Sequence, residues 1–392
     1  MPANLDRFTC DIGFPVGCIG VTSSNEVVLG GGGGPGGSGV KNKLSVYKVD
    51  KERQDLDEVS TITLSSNEDA PTCLAVHPKE KTIVSSVNVD KERIEKGENA
   101  NCRVFKLAKK GIQAGKAAKT MLSTDDMDYQ KTIAIEPHGR LVANGSSDGT
   151  LAVVEYPSLK PAFPFVEASG EINDVDFNAS GKWLAVATDH ELKVLASKDG
   201  SSVQNIDKPH TTSGEQAVFR SSRFGRAKEQ LMGFKAQQKT PVMLNDVLYT
   251  VLNTRSRKQA YIAMWNTQTW QRITTRPVCQ SAITTFAVSN KGKLLAFATA
   301  SLQIGICDAH TLRVLVRIPA AHSFAITALA FDKDDKFLIS GSADETCQVI
   351  AIPEQWPTAL EDAAQWTKDN FQVFVMLVVL LLAVLAGLFL RS

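Results

Sequence analysis

The amino-acid sequence predicts an all-β fold, a seven-bladed β-propeller at residues 1–354, followed by one transmembrane helix at residues 371–390. Three observations lead to this prediction. A pattern of short apolar strands and polar turns recurs at nearly constant spacing. The composition is that of an ordinary globular protein, with 43% hydrophobic and 22% charged residues in a chain of 392. An uncharged apolar run lies near the C-terminus.

The repeating unit is an apolar strand, a polar turn, a second apolar strand, a run of small residues and a third strand. The clearest copies span four stretches: 132–156, 172–195, 283–307 and 326–350. Their turn residues lie 42 residues apart from Gly139 to Gly181, and 43 apart from Gly292 to Asp335. A period of about 40–45 residues with four short strands per unit is typical of WD40 propeller blades.

Weaker copies of the unit fill the rest of the chain. Residues 72–87 match well, residues 17–46 match with a glycine insertion, and residues 216–270 match if a loop near 233–245 is allowed. The repeats therefore predict seven blades. A short strand near 8–12 precedes the first blade, and we expect it to pair with the last blade near 339–350. This pairing would close the ring and remove an open sheet edge.

Composition and charge argue against several classes of function. The 43 Lys and Arg against 42 Asp and Glu give a net charge of +1, which favours neither a nucleic-acid partner nor a strongly acidic one. The seven cysteines are scattered and form no C-x-x-C pair, which argues against a zinc site and a disulfide framework. Several cysteines lie in apolar runs, where a free thiol acts as a small hydrophobic group. We recognise no catalytic triad, carboxylate pair or activated nucleophile.

Residues 371–390, FQVFVMLVVLLLAVLAGLFL, predict the membrane anchor. At about 1.5 Å per residue, a helix of this length spans roughly 30 Å, the thickness of a bilayer core. A buried core helix is the alternative, but such helices are seldom apolar on every face. The N-terminus lacks the features of a signal peptide. We therefore expect a cytosolic propeller at 1–354, a linker at 355–370 and a lumenal tail at 391–392.

Residues 30–42, GGGGGPGGSGVKN, have the most unusual composition. The segment connects two predicted strands and lacks a G-K-[ST] motif, so we do not expect it to bind a nucleotide. Two interpretations remain open. Glycine carbonyls and the amide oxygen of Asn42 could surround a monovalent cation. Alternatively, the segment is a flexible surface linker. Under either interpretation, Asn42 is expected in a surface loop outside the blade cores.

Two basic stretches have simpler interpretations. The lysine-rich run 106–119 is predicted to be a solvated connection between blades, with contact to acidic lipid headgroups as the alternative. The cluster of Arg220, Arg223, Arg226 and Lys228 is predicted to form a polar loop and strand face.

The propeller, the glycine-rich segment and the anchor together resemble one family. They are similar to the endoplasmic-reticulum WD40 exchange factors that activate Sar-family small GTPases and start COPII coat assembly. The resemblance covers essentially the whole head and the anchor. Its most specific part is the run of glycines at 31–34, followed by Gly39, Val40 and the sequence Asn42-Lys43-Leu44. The resemblance implies an exchange factor in the membrane of the endoplasmic reticulum, one that accelerates GDP release without covalent chemistry.

In that family the corresponding loop is ordered around a potassium ion and contacts the GTPase. The resemblance implies a GTPase-contacting set of four residues: Ser38, Gly39, Val40 and Asn42. It implies an ion-binding set of five: Gly31, Gly32, Gly33, Gly34 and Asn42. Pro35, Ser38 and Lys41 depart from the residue types that the resemblance leads us to expect. These departures affect the expected set of ion ligands more than the expected fold.

A function of another class remains open. Relatives that resemble the plant phosphate-transporter traffic facilitators keep the architecture and lack exchange activity. On this alternative the chain is a non-catalytic, membrane-bound WD40 scaffold that assists export of membrane proteins from the endoplasmic reticulum. The presence of Asn42 in an otherwise family-like loop favours exchange. A third possibility, a DNA-binding regulator, is disfavoured by the neutral charge and by the anchor.

Overall fold

The computed structural model of the protein describes residues 5–36, 38–208, 214–231 and 242–356. The chain divides into two compact units, one of Asp6–Ile352 and one of Met1–Leu5 with Pro353–Ser392. The first unit contains seven four-stranded antiparallel sheets, each of which is one blade, so the predicted seven-bladed β-propeller is confirmed. The helix predicted at 371–390 lies outside the described residues. Within the described ranges, no helix is long and apolar enough to cross a membrane.

The chain begins with β1 (Arg7–Asp11), which belongs to the last blade. The strands of blades 1 to 3, from the centre outwards, follow in chain order. Blade 1 has β2 (Val16–Val21), β3 (Val27–Gly31), β4 (Lys43–Asp50) and β5 (Asp55–Thr63). Blade 2 has β6 (Leu74–Val76), β7 (Thr82–Ser86), β8 (Cys102–Ala108) and β9 (Gly111–Ala118), with helix α1 (Lys91–Glu95) between β7 and β8. Blade 3 has β10 (Gln130–Ile135), β11 (Leu141–Ser146), β12 (Thr150–Glu155) and β13 (Val166–Glu167).

Blades 4 to 7 continue the same order. Blade 4 has β14 (Ile172–Phe177), β15 (Trp183–Thr188), β16 (Leu192–Ala196) and β17 (Ser202–Ile206). Blade 5 has β18 (Ala217–Phe224), β19 (Val247–Thr254), β20 (Ala260–Asn266) and β21 (Arg272–Cys279), with a 3₁₀ turn at Leu244–Asp246. Blade 6 has β22 (Ile283–Val288), β23 (Leu294–Thr299), β24 (Ile304–Asp308) and β25 (Val314–Ile318). Blade 7 has β26 (Ile326–Phe331), β27 (Phe337–Ser342), β28 (Thr346–Ala351) and β1.

The turn between the first and second strands explains the repeat seen in the sequence. In blade 4, Gly181 has a φ of +70°, a conformation that glycine adopts without a steric penalty. The Asn178 side-chain oxygen accepts a hydrogen bond of 3.0 Å from the Trp183 N–H and so fixes the turn. The second strands that follow, such as β3, β7, β23 and β27, are buried along their whole length because each packs between two neighbouring blades.

The N-terminal strand closes the ring. β1 pairs with β28 in antiparallel register, from Arg7 opposite Ile350 to Asp11 opposite Thr346. The predicted closure is therefore confirmed. Because the last blade takes its outer strand from the opposite end of the propeller sequence, the ring is held shut by main-chain hydrogen bonds.

The lysine-rich run 106–119 is not a connection between blades, so that prediction is wrong. It falls on β8 and β9, which pair as the outer hairpin of blade 2. The side chains of Phe105 and Ile112 are buried between blades 1 and 2, while lysines such as Lys106 and Lys116 are exposed. The apolar residues that alternate with the lysines form the buried side of the hairpin. The number of lysines alone does not reveal this buried side.

The antiparallel order gives the propeller two distinct faces. We call the face at which the innermost strands begin the glycine face. It carries the loops that join second to third strands and the connections between blades. We call the face at which the innermost strands end the tail face, because β28 also ends there at Ala351. Residues 32–42, between β3 and β4, lie on the glycine face and are called the glycine loop below.

Candidate functional site

The glycine loop rises from two paired strands of blade 1. Gly30 pairs with Leu44 and Gly31 with Lys43, so the strand ladder reaches the base of the loop. A Cβ atom at Gly31 would collide with the Pro15 carbonyl oxygen, and only glycine permits this close approach of two backbones. The Gly32 N–H then donates a hydrogen bond of 3.0 Å to the same carbonyl. The base of the loop is therefore fixed to the connection that precedes β2.

The Asn42 side chain holds the loop closed. Its Nδ2 donates to the Gly34 carbonyl at 3.1 Å and to the Glu68 carbonyl at 2.8 Å, and its Oδ1 accepts from the Gly34 N–H at 3.0 Å. Gly34 has a φ of +77°. Asn42 is only 2% exposed, so the prediction of a surface position is wrong, although the residue does lie in the loop before β4. It is buried because it supplies hydrogen-bond partners to backbone groups of the loop.

The far end of the loop is exposed but folded back on itself. Ser38 and Gly39 are exposed, and Gly39 has a φ of +83°. The Ser38 hydroxyl accepts a hydrogen bond of 3.3 Å from the Val40 N–H. A Cβ at Gly33 would collide with that hydroxyl. Val40 is half-buried and packs against the apolar core between blades 7 and 1. The described part of the loop is therefore compact, with a polar tip and one apolar anchor.

The ion-binding set implied by the resemblance consists of neutral oxygen donors. The Gly34 carbonyl and the Asn42 Oδ1 already take part in the hydrogen bonds that close the loop. Each of these oxygens has two lone pairs and keeps capacity for one further contact. Neutral carbonyl and amide oxygens are the donors that potassium sites use. The donor set therefore fits a potassium ion chemically, and the hydrogen bonds of Asn42 hold the loop closed.

Two acidic residues beside the loop were missed by the sequence analysis. Glu68 accepts the Asn42 hydrogen bond through its carbonyl, and its carboxylate forms an ion pair of 2.8 Å with Arg103. The Asp69 Oδ1 lies 3.6 Å from the position that a Cβ at Gly34 would occupy. Burial raises the pKa of the Asp69 carboxyl. Only the propeller topology brings the blade 1 to blade 2 connection against the loop, and no sequence motif marks it.

The predicted basic cluster divides between two environments. Arg220 and Arg223 lie on β18, the innermost strand of blade 5, and they line a cavity of about 280 Å³ in the central channel. Arg223 forms an ion pair with Asp174, and Arg220 donates a hydrogen bond of 2.6 Å to the Thr284 carbonyl. Arg226 is exposed in the loop that follows β18. Arg220 and Arg223 therefore have their binding partners inside the ring.

The fold is similar to that of solved structures. The chain superposes on a chain in the crystal structure of the Mitotic Checkpoint Complex with a TM-score of 0.63, covering 90% of this chain and 95% of the other. The sequence identity is 12%, so the match shows the propeller fold alone. Residues 162–194 and 313–350 match the family described as WD domain, G-beta repeat.

Comparison of sequences is more specific. The guanine nucleotide-exchange factor SEC12 of Candida glabrata is 26% identical over 94% of this chain and 78% of its own length. The SEC12-like protein 2 of Arabidopsis thaliana is 26% identical over 82% of this chain and 74% of its own length. The SEC12 exchange factor of Rattus norvegicus is 25% identical over 61% of this chain and 58% of its own length. The resemblance described from the sequence is therefore confirmed.

Proposed function

Because the chain is SEC12-like over most of its length, we propose that it is a guanine-nucleotide exchange factor for a Sar-family small GTPase. The observation that carries the proposal is the similarity to a SEC12 exchange factor over 94% of the chain. We further propose that the chain acts at the endoplasmic reticulum, where it starts COPII budding. Residues 371–390 would anchor it, with the propeller in the cytosol.

The glycine loop is the proposed active element. Five of its described residues are glycines, at positions 32, 33, 34, 36 and 39, so its backbone is open to close approach by a partner. Ser38, Gly39 and Val40 would contact the GTPase, and Asn42 would position them through its hydrogen bonds to Gly34 and Glu68. Asn42 is buried, so its proposed role is to position the loop rather than to touch the GTPase.

Exchange requires a difference in binding between two states of the partner. Small GTPases hold GDP with affinities from nM to pM, equivalent to about 12–16 kcal/mol. A protein that binds the nucleotide-free GTPase more tightly than the GDP-bound form weakens GDP binding by the same factor. No covalent bond is formed or broken. A rigid loop transmits more of its binding energy into displacing partner elements than a loop that must first be ordered.

A potassium ion is proposed to contribute to that rigidity. The carbonyl groups of residues 31–34 and the Asn42 Oδ1 would hold it, and it would supply a positive charge to the loop. In this arrangement the loop has two means of ordering, the ion and the Asn42 hydrogen bonds. Replacement of potassium by tetramethylammonium, which is too large for a ring of carbonyl oxygens, should slow exchange several-fold.

The test is release of a fluorescent GDP analogue from a Sar-family GTPase in the presence of the full chain in detergent or proteoliposomes. We expect acceleration that saturates with the concentration of the chain. Binding to the GTPase without acceleration would contradict exchange and favour the non-catalytic scaffold. Absence of both binding and acceleration would contradict the choice of partner. The potassium replacement is measured in the same assay, with sodium and rubidium as intermediate cations.

A further inference from the structure

Charge is distributed unequally between the two faces of the propeller, although the net charge of the chain is only +1. On the tail face, six of the seven turns between first and second strands carry a lysine or an arginine. The exposed ones include Lys79, Lys81, Arg140, Lys182, Arg226, Lys228, Lys291, Lys293, Lys333 and Lys336. The outer turns on the same face add Lys51, Arg53, Lys109, Lys110, Lys160 and Lys198. In the described tail-face turns, basic side chains outnumber acidic ones.

The glycine face has the opposite balance. Its described loops contain more carboxylates than basic groups, most densely around α1 and in the connection between blades 2 and 3. The exposed carboxylates include Glu92, Glu95, Glu98, Asp125, Asp126, Glu171 and Asp189. Several lysines and arginines on this face are paired with them, as in the 2.9 Å ion pair of Lys91 with Asp126. The propeller therefore has a charge dipole along its central axis.

Some tail-face lysines form no ion pair within the described residues and can meet an external partner. Among the described residues, no carboxylate lies within 4.0 Å of the amines of Lys182, Lys198 or Lys291, whereas Lys293 pairs with Glu229 at 2.9 Å. Basic residues close to an anionic lipid surface each contribute about 1 kcal/mol. Several such residues on one face would add to a substantial attraction at physiological salt, where charges interact over about 8 Å.

The inference rests on the membrane anchor proposed above for residues 371–390, which makes a lipid bilayer the acidic partner that the course of the chain favours for this face. β28 ends at Ala351 on the tail face, and the uncharged run 371–390 follows only a short distance along the chain. We propose that the tail face is a docking surface for an anionic lipid bilayer. Docking turns the acidic glycine face, with the glycine loop, away from the bilayer and towards a cytosolic partner.

The test measures the distance from each face to the lipid headgroups. Ala179 is exposed in the tail-face turn of blade 4, and Met127 is 79% exposed on the glycine face. Each is replaced by cysteine, Ala179→Cys or Met127→Cys, and labelled with a fluorophore in the full chain. Labelling is selective because all seven native cysteines are buried, and burial raises the pKa of thiols such as Cys73 and Cys102 to about 12. The labelled chain is reconstituted into vesicles that carry a headgroup quencher.

We expect quenching at position 179 to rise at least twofold when phosphatidylserine is added to phosphatidylcholine vesicles, and to fall again at high salt. Quenching at position 127 should not change. The triple variant Lys182→Glu, Lys198→Glu, Lys291→Glu should abolish the rise. The matched variant Lys96→Glu, Arg255→Glu, Lys258→Glu on the glycine face should retain it.

Three results would overturn the proposal: equal quenching at position 179 in both lipids, greater quenching at position 127, or no effect of the tail-face triple variant. A rise that is lost when an acidic soluble protein is added would still support docking, since the competitor occupies the same basic surface. Failure of GDP release leaves this test unaffected, because no nucleotide or GTPase is present.

Discussion

The loop between second and third strands differs sharply between blade 1 and blades 3 and 7. In blades 3 and 7 it is a tight turn, residues 147–149 and 343–345, built around one aspartate. Asp344 accepts hydrogen bonds from the N–H groups of Ser323 at 2.8 Å and Thr346 at 3.0 Å. In blade 1 the glycine loop spans residues 32–42 and is closed by a neutral amide, that of Asn42.

The two solutions serve different purposes. The aspartate of the tight turn bonds both to its own turn and to the connection from the preceding blade, so it joins neighbouring parts of the ring. In blade 7 His322 extends the network, with Nε2 at 2.8 Å from the Ser340 hydroxyl and Nδ1 at 3.3 Å from Asp344. Among the described residues, the glycine loop contacts the ring at its base, through Asn42 and through the half-buried side chain of Val40. A change in this loop should therefore affect function more than the stability of the ring.

Asp344→Ala should give the largest loss of stability. It removes the acceptor for the Ser323 and Thr346 donors and leaves the buried His322 ring without its carboxylate partner. Hydrogen bonds to charged groups contribute about 1.5–3 kcal/mol, so we expect a loss of about 2–3 kcal/mol in the free energy of unfolding. Chemical denaturation measures it. At a temperature where the variant is folded, the rate of GDP release should stay within twofold of the wild-type rate. A tenfold loss of that rate would contradict the view that the tight turns stabilise the ring while the glycine loop drives exchange.

Asn42→Ala should have the largest effect on exchange. It removes three hydrogen bonds that close the glycine loop, and we expect GDP release to slow at least tenfold, equivalent to about 1.4 kcal/mol of lost coupling. Because the side chain is buried, stability should also fall, by about 1 kcal/mol.

The matched control is Asn42→Asp, which keeps the acceptor for the Gly34 N–H and loses both donors. It should slow exchange at least as much as Asn42→Ala, because a buried carboxylate would face the Gly34 and Glu68 carbonyl oxygens without a hydrogen to donate. If Asn42→Ala instead releases GDP at the wild-type rate, the loop does not drive exchange.

Acidification should produce the smallest effect, and it should arise in blade 7. Burial lowers the pKa of His322, although nearby Asp344 opposes the change. The folded state therefore disfavours the protonated ring, so this stabilising contribution is complete above about pH 6.5 and is lost as the pH falls below that value. Hydrogen bonds from Thr346 and Ser323 outweigh burial and hold the pKa of Asp344 well below its usual range, so its contribution is lost only at much lower pH.

The measurement is denaturation at pH 7.5 and pH 5.5 for the wild type and for His322→Gln. The wild type should be less stable at pH 5.5 than at pH 7.5, and this loss should be smaller than the loss caused by Asp344→Ala or Asn42→Ala. In His322→Gln the difference in stability between the two pH values should be smaller than in the wild type. An equal difference in both proteins would assign the effect to another group.

The repeat and its period sufficed to predict the ring, its seven blades and its closure by β1. The strands and turns follow from local patterns that any one blade displays, and closure by β1 follows because a ring of sheets leaves no open edge. The prediction of a connection between blades at residues 106–119 is wrong because it rests on the lysine content and gives no weight to the alternating apolar residues Phe105 and Ile112. The burial of Asn42 was missed for a different reason. It depends on the Glu68 carbonyl, which is 26 residues away and is brought to the loop only by the blade topology.

The central claim is that the glycine loop, and not the ring, carries exchange. The most direct measurement replaces residues 32–42 by the Ser-Asp-Gly turn of residues 147–149, which joins the corresponding strands of blade 3. Denaturation and GDP release are then measured on the same preparation of the full chain. The account predicts a cooperatively folded propeller that no longer accelerates GDP release. A folded variant that releases GDP at the wild-type rate would contradict it.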